Sequence, residues 1–252
     1  MDIYNNLLEQ YQNLTEDEKN ALLVYKSKLG VVINEMSRIR DFEKIDSSFL
    51  TEIISTSDNV KSIYLMYKKY LDEPKNLFLK YSVFKDIDPS SMETFVVSLR
   101  NTYQTIQSCS DKIRLPKDIY LYRGVAVQDD KKKGQIALSN IVSSSMNPDV
   151  CEMFLYSDNP DNTELELYQF QVSKGTPVLV CPYSIVIEDR LFNELKIKNE
   201  DSQQEIILFK DKTNMDIISK KEVILEDNTI LNIYKTSVEH KEVINYSDGK
   251  MV

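Results

Sequence analysis

Hydrophobic residues in the first 114 positions recur at three- and four-residue intervals, which is the spacing of one buried face of an α-helix. The expected N-terminal caps of these helices are, in chain order, Thr15, Asp58 and Ser90. Thr15 with Glu18, and Ser90 with Glu93, have the spacing of a capping box. Gly30 is expected to end the helix that begins at Thr15. The N-terminal part of the chain is therefore predicted to be a layer of helices.

From position 115 the pattern changes to short runs of β-branched and aromatic residues separated by turn residues, which is typical of strands. The predicted strands are 119–127, 141–146, 165–172, 178–181, 205–209, 223–225 and 230–235, with short helices at 148–155 and around 190–195. A sheet has to cover its apolar face, and the boundary carries no linker composition. We therefore expect one α+β domain over 1–252, with a mainly helical layer at 1–114 packed on a mixed β-sheet core at 115–252.

Composition and charge exclude several classes of protein. Five glycines and seven prolines in 252 residues exclude collagen-like and linker-like chains. Thirty-one basic against 40 acidic residues give a net charge of −9, the opposite of the basic footprint of non-specific nucleic-acid binding. No apolar run has the length of a membrane span, and the first 20 residues lack a basic and an apolar signal region. We expect a soluble cytoplasmic protein with no membrane contact.

Cysteine and histidine usage argues against a metal site and against a hydrolase. The three cysteines are odd in number and widely spaced, so neither a disulfide framework nor a zinc site is expected. His240 is the single histidine, and a Ser–His or Cys–His catalytic pair would depend on it alone. No nucleophile signature accompanies His240. A cysteine or serine hydrolase is kept only as an alternative.

Two predicted strands carry polar residues that a buried strand does not need. Arg123 and Gly124 end the apolar run IYLYRGV, and a guanidinium there has to meet either a carboxylate or the phosphate of a ligand. Glycine beside it lets a ligand approach the backbone closely. The run IVSSSMN places three hydroxyls in a strand, where they either bond neighbouring backbone or line a polar cleft.

A third polar position lies where the loop DSQQ enters the apolar strand EIILF. Gln203 and Glu205 are two residues apart, so strand alternation predicts that both side chains project from one face, with Gln204 on the other. One carboxylate and one carboxamide would then lie together at the mouth of the sheet.

In this order, the three positions make the chain resemble the arginine-serine-glutamate class of mono-ADP-ribosyltransferases, the exoenzyme toxins. YRG at Arg123 is similar to the family's arginine motif, VSSS at 142–145 to its hydrophobic-Ser-Thr-Ser motif, and QQE at 203–205 to its Glu/Gln-x-Glu motif in the Gln form. The segments LTEDEKNALLVYKSKLGVVINE and SKGTPVL are also similar to family segments. Glu200 stands where Rho-modifying members usually carry an exposed aromatic residue, which disfavours a Rho-like target.

The resemblance implies an enzyme that consumes NAD+ as a co-substrate, without a metal. Glu205 would stabilise the positive charge that develops on the ribose as nicotinamide leaves. Ser143 would hold Glu205 and the ribose in register, and Ser145 belongs to the same NAD-binding motif. Arg123 would pair with the phosphates, and the backbone of Gly124 would bond the nicotinamide amide.

The acceptor is expected to meet Gln203. In the family, glutamate at this position goes with arginine acceptors and glutamine with asparagine side chains or nucleobases, and a carboxamide complements an amide or a base edge. The partner is therefore a macromolecule, either a protein or a nucleic acid; the triplet at 131–133 offers lysines for a phosphate contact. A toxin acting in its own cell would have an antitoxin or inhibitor protein as a partner, whereas an effector would be delivered into a host cell. The alternative is a catalytically silent binding module on the same scaffold.

Overall fold

The computed structural model describes residues 2–39, 46–72, 82–126, 140–157, 164–187, 195–199, 203–226 and 228–240. The helices of these segments are α1 (Ile3–Gln12), α2 (Glu16–Tyr25), α3 (Leu29–Ile39), α4 (Ser47–Thr56), α5 (Asp58–Asp72), α6 (Met92–Cys109) and α7 (Pro148–Ser157). Short 3-10 turns lie at Ser82–Phe84 and Ser110–Lys112. None of the described helices is both long enough and apolar enough to span a membrane.

The capping box predicted for α2 is confirmed. Thr15 Oγ1 accepts from the backbone N–H of Glu18 at 3.3 Å, and Glu18 Oε2 accepts from the backbone N–H of Thr15 at 2.9 Å. The box predicted at Ser90 and Glu93 is wrong by one position, because Ser91 pairs with Thr94 instead. The side chain of Ser90 is instead 3.3 Å from the Thr94 hydroxyl.

Two other predicted helix ends are also shifted. Asp58 is the first residue of α5, and the hydroxyl of Ser57 before it accepts from the N–H of Val60 at 3.4 Å. Gly30 does not end α2, which finishes at Tyr25; it lies in the first turn of α3. A Cβ on Gly30 would lie 1.9 Å from the carbonyl oxygen of Tyr25, so only glycine permits this tight connection between the two helices.

The strands are β1 (Ile119–Ala126), β2 (Ile141–Ser145), β3 (Glu164–Val172), β4 (Val178–Val180), β5 (Tyr183–Ile187), β6 (Leu195–Asn199), β7 (Glu205–Phe209), β8 (Thr213–Ile224) and β9 (Ile230–His240). Seven of them form one sheet in the order β4-β7-β2-β1-β3-β9-β8, and β5 pairs with β6 separately. Among the described strands of the large sheet, β3 and β9 run parallel and the other neighbours run antiparallel.

The predicted strands agree with β1, β2, β3, β4, β7 and β9 to within a residue or two, except that β9 extends to His240. Strands β5, β6 and most of β8 were not predicted. The helix predicted at 148–155 is α7, which ends at Ser157. Of the helix predicted around 190–195, Leu195 instead begins β6, and the other positions lie outside the described residues.

One apolar core joins the helices to the sheet. Leu29, Ile33 and Phe95 of the helices belong to the same buried cluster as Leu121 and Ile207 of the strands. Helix α1 lies against β4, α2 against β5, and α7 against β1. The predicted α+β class, with N-terminal helices packed on a mixed sheet, is therefore confirmed.

Candidate active site

The first residue of β7, Glu205, is the centre of a polar cluster inside the sheet. The β2–β7 ladder places Glu205 directly opposite Ser145, so Ser143 lies diagonally across from it on the same face. Ser143 Oγ donates to Glu205 Oε1 at 2.5 Å, although the two residues are 62 positions apart in sequence. Glu205 is 8% exposed, so the carboxylate is largely shielded from water.

The three serine hydroxyls divide between the two interpretations that the sequence left open. Ser143 bonds the carboxylate of Glu205. Ser144 donates to the carbonyl of Ile206 at 2.7 Å, and Ser145 donates to the carbonyl of Gln203 at 2.5 Å. Ser144 and Ser145 therefore satisfy backbone, and only Ser143 reaches the carboxylate.

Arg123 lies on β1 beside the same cluster. Its Nη1 donates to the carbonyl oxygen of Ser143 at 2.5 Å. Strands β1 and β2 are paired between Tyr122 and Ser145, which brings the guanidinium to the part of β2 that carries Ser143. The arginine, serine and glutamate motifs, separated by up to 82 positions in sequence, thus meet as one chain of contacts from Arg123 through Ser143 to Glu205.

Gly124 has a structural reason to be glycine. A Cβ at this position would lie 2.4 Å from the carbonyl oxygen of Cys151 and 2.8 Å from Cγ of Leu155. The close neighbour on that side is therefore helix α7, and glycine allows the helix to pack on β1. A contact between the Gly124 backbone and a ligand stays a prediction, as do the NAD-binding roles of Arg123, Ser143 and Ser145.

Lys26 is a member of the cluster that sequence reasoning missed. Its Nζ donates to Glu205 Oε2 at 2.5 Å, and the lysine and glutamate side chains are 16% and 10% exposed. Lys26 caps the C-terminus of α2. Sequence patterns give no signal for this contact, because Lys26 belongs to none of the three motifs and lies 179 positions from Glu205.

Tyr25, next to Lys26, is buried beside Glu205. Burial raises the pKa of its hydroxyl, and the negative charge of Glu205 raises it further. The hydroxyl therefore stays protonated at neutral pH and is 3.3 Å from Oδ1 of Asn34 on α3. The end of helix α2 and strands β1, β2 and β7 thus contribute the side chains of the cluster.

Gln203 does not lie on a strand, contrary to the predicted alternation with Glu205. Strand β7 begins at Glu205, and Gln204 before it has φ +44, in the left-handed region that a strand residue does not occupy. The turn is held by the bond from Ser145 to the Gln203 carbonyl and by the bond from Met146 N–H to the Gln204 carbonyl at 3.3 Å. The half-buried Gln203 therefore lies in the turn that precedes Glu205, and not on the strand itself.

The structure gives no support to the hydrolase alternative. All three cysteines are free and buried. Burial raises the pKa of Cys109 to about 12 and that of Cys151 to about 11, and it also raises the pKa of Cys181, so none is a thiolate at neutral pH. The exposed His240 has its Nδ1 3.3 Å from the main-chain oxygen of Lys212, which is a backbone contact and not a catalytic pair.

Within the described part of the chain, no group of three or more His, Cys, Asp or Glu side chains is arranged to hold a metal ion. The lysine triplet at 131–133 and Glu200, which bear on the predicted acceptor, lie outside the described residues.

This chain is similar to several solved structures of ADP-ribosyltransferase toxins, at low sequence identity. No protein-family profile matches it, and no curated protein matches it in sequence. Among solved structures, Plx2a, an ADP-ribosyltransferase toxin from Paenibacillus larvae, is 14% identical over 94% of this chain and 92% of that chain, with a TM-score of 0.48. C3stau2 from S. aureus, solved with NAD, is 13% identical over 95% and 93% of the two chains, with a TM-score of 0.47. The C3 exoenzyme of Clostridium limosum is 13% identical over 93% and 90% of the two chains, with a TM-score of 0.46. Because these identities are low and each TM-score is below 0.5, the activity of this chain has to be argued from its own residues.

Proposed function

We propose that the protein is a mono-ADP-ribosyltransferase toxin that cleaves nicotinamide from NAD+ and transfers ADP-ribose to an acceptor other than arginine. The observation that carries the proposal is the 2.5 Å bond from Ser143 to Glu205, with Arg123 bound to the same serine. Three motifs that resemble those of one enzyme class are distant in sequence and join in a single cluster. A buried carboxylate held by a serine hydroxyl suits a reaction in which positive charge develops nearby.

The reaction breaks the bond between the ribose C1 and the nicotinamide nitrogen. The electron pair leaves with nicotinamide, and the ribose becomes an oxocarbenium-like cation. Glu205 would offset this charge and accept from a ribose hydroxyl, while Ser143 fixes the carboxylate. Arg123 would pair with the phosphates of NAD+. An acceptor nitrogen then forms the new bond to C1 and loses one proton to solvent.

The acceptor class is proposed from Gln203. A neutral carboxamide lacks the charge that would attract a guanidinium, but it donates and accepts hydrogen bonds as an amide or a base edge does. Since a neutral nitrogen is a weak nucleophile, orientation by hydrogen bonds has to replace basicity. The partner would be a macromolecule that presents an asparagine-type amide or a base amine, and the net charge of −9 favours a protein. If the toxin acts in its own cell, we expect an antitoxin that binds it.

The alternative is a catalytically silent binding module. Such a module has no physical need for a buried carboxylate that is both bonded by a serine and paired with a lysine, because buried charges are costly to keep. The cluster therefore favours the enzyme.

The test measures release of nicotinamide by the purified protein from NAD+ that is labelled on its adenylate half. The measurement is made with and without a cell lysate. Glu205→Gln should lower release by a factor of roughly 100 or more, the scale for losing one preorganised electrostatic contact. Glu18→Gln is the matched control, because Glu18 has a similarly buried side chain, 11% exposed, and also binds a lysine, Lys112, at 2.6 Å. Glutamine still serves a capping box, so α2 should remain intact.

Wild-type rates in Glu205→Gln would contradict the proposal, as would an equal loss in Glu18→Gln. Digestion of the labelled lysate product with protease or nuclease identifies the acceptor as a protein or a nucleic acid. An adduct on arginine would contradict the acceptor class, and that assignment can be made by mass spectrometry.

A further inference from the structure

The contact between Lys26 and Glu205 is at odds with the role proposed for Glu205. In this structure Oε1 of the carboxylate accepts from Ser143 and Oε2 accepts from the ammonium of Lys26, each at 2.5 Å. An ammonium at this distance neutralises the carboxylate and repels a second cation. The oxocarbenium-like ribose would be such a cation. Glu205 can therefore act on the ribose only if Lys26 moves away from it.

Among the described residues, Ser143 and Lys26 bond the carboxylate of Glu205, and Lys26 is the one that can leave. Ser143 lies within β2, whose ladder with β7 runs from Ile141 to Ser145, so the sheet holds this short side chain beside Glu205. Lys26 lies just after the last turn of α2, and its compact charge sits on a flexible four-carbon stem. The ammonium can therefore change partner without any change in backbone.

NAD+ would supply the new partner. Its diphosphate carries two negative charges, and a lysine ammonium binds phosphate oxygens as a point charge. The diphosphate would lie near Arg123, which contacts Ser143, and Ser143 contacts the same carboxylate that Lys26 binds. The cluster would thus hold two cations for two phosphate charges once Glu205 is released.

We propose that Lys26 exchanges partners during the binding of NAD+: it pairs with Glu205 before the nucleotide arrives and with the diphosphate afterwards. The exchange keeps the buried carboxylate neutralised until the substrate is present and then frees it for the ribose. This inference rests on the proposed function, because it requires the diphosphate of NAD+ to enter this cluster.

Calorimetric binding of ADP tests the exchange without any chemical step, since ADP has the diphosphate but no nicotinamide. Lys26→Met should raise the Kd for ADP by roughly 10-fold or more, the effect of losing one hydrogen bond between charged groups. Lys26→Arg keeps the charge and should restore most of the affinity. Lys112→Met is the matched control, because it removes one lysine from a comparable pair with Glu18 and should leave the Kd unchanged.

A Glu205→Gln variant distinguishes an exchange, in which Lys26 leaves Glu205 for the diphosphate, from a Lys26–phosphate contact that does not depend on Glu205. This variant releases Lys26 in advance and should tighten ADP binding several-fold, whereas the double variant with Lys26→Met should show no such gain. Glu18→Gln should have no effect on ADP binding. The thermal unfolding of each variant verifies that the chain is folded at the temperature of the measurement.

The outcomes distinguish the two proposals. If the wild-type protein binds ADP and Lys26→Met binds it equally well, the exchange is wrong and the proposed function stands. A gain from Glu205→Gln that persists in the Lys26→Met background also overturns the exchange, because simple removal of a negative charge then explains it. If the wild-type protein binds neither ADP nor NAD+, the proposed function fails first, and the exchange fails with it.

Discussion

Removal of the Ser143 hydroxyl should slow nicotinamide release without unfolding the sheet. In Ser143→Ala, Glu205 loses its 2.5 Å bond on Oε1 and remains bonded to Lys26 through Oε2. A hydrogen bond to a charged group contributes about 1.5–3 kcal/mol. If that bond is needed in the transition state, kcat should fall by roughly 10- to 150-fold, since about 1.36 kcal/mol corresponds to one factor of ten.

The next residue provides the matched control. Ser144 lies on the same strand and its hydroxyl also makes one hydrogen bond, but the acceptor is the carbonyl of Ile206 at 2.7 Å, not the carboxylate. Ser144→Ala should therefore lower the free energy of unfolding by about 1 kcal/mol, the usual net value of a neutral hydrogen bond. Its kcat should stay close to that of the wild type, because the lost hydroxyl does not touch the carboxylate.

The assay measures nicotinamide release at saturating NAD+, and the thermal unfolding of each variant is measured in parallel. If Ser143→Ala keeps the wild-type kcat, the serine does not position the carboxylate. If Ser144→Ala loses as much activity as Ser143→Ala, then the general integrity of β2 explains both results, and the specific role of Ser143 is refuted.

Two further variants test the proposed contact of Gln203 with the acceptor and the packing of α7 on β1 at Gly124. Gln203→Ala should keep nicotinamide release and lose transfer to the macromolecular acceptor, both measured with labelled NAD+; an equal loss of both activities would mean that Gln203 is structural. Gly124→Ala should lower Tm by roughly 2–12 °C, because the new Cβ overlaps the Cys151 carbonyl and overpacking costs about 1–3 kcal/mol. An unchanged Tm in scanning calorimetry would show that helix α7 is not held against β1 as described.

The sequence pattern predicts the buried strands well because burial imposes the pattern. Strand β7 was predicted at its observed bounds, and its five residues, Glu205 among them, are all buried. Strand β8 is different: it lies at the edge of the sheet, and all of its residues from Asn214 onward are exposed or half-buried. An edge strand needs no apolar face, so its composition carries little strand signal, and only its last residues were predicted.

The capping errors have a similar origin. Serine, threonine and aspartate cluster at helix starts, and neighbouring residues compete for the same orphan N–H groups. At the start of α6, Ser90 and Ser91 are both suitable caps, and Ser91 is the one that binds the N–H of Thr94. Sequence locates such a helix end but not the single residue that caps it.

Sequence predicted those candidate site residues that belong to a recognisable motif. Arg123, Ser143 and Glu205 each belong to a short pattern, and their order suggested that they meet. Lys26 belongs to no such pattern, and its contact with Glu205 joins residues 179 positions apart. This pair depends on how α2 packs beside the sheet. Neither the helical periodicity of α2 nor the spacing of the motifs specifies that packing.

Under the proposed function, the structure separates the residue that would act on the ribose from the residue that would meet the acceptor. Glu205 begins a strand that is bonded on both sides, to β2 and to β4, so its position is set by the sheet. Gln203 lies before the strand, separated from it by the left-handed Gln204, and the bond from Ser145 reaches its carbonyl and not its side chain. Any residue at position 203 can accept that backbone bond. The side chain that would meet the acceptor is therefore free to change, while the carboxylate that would act on the ribose stays in place.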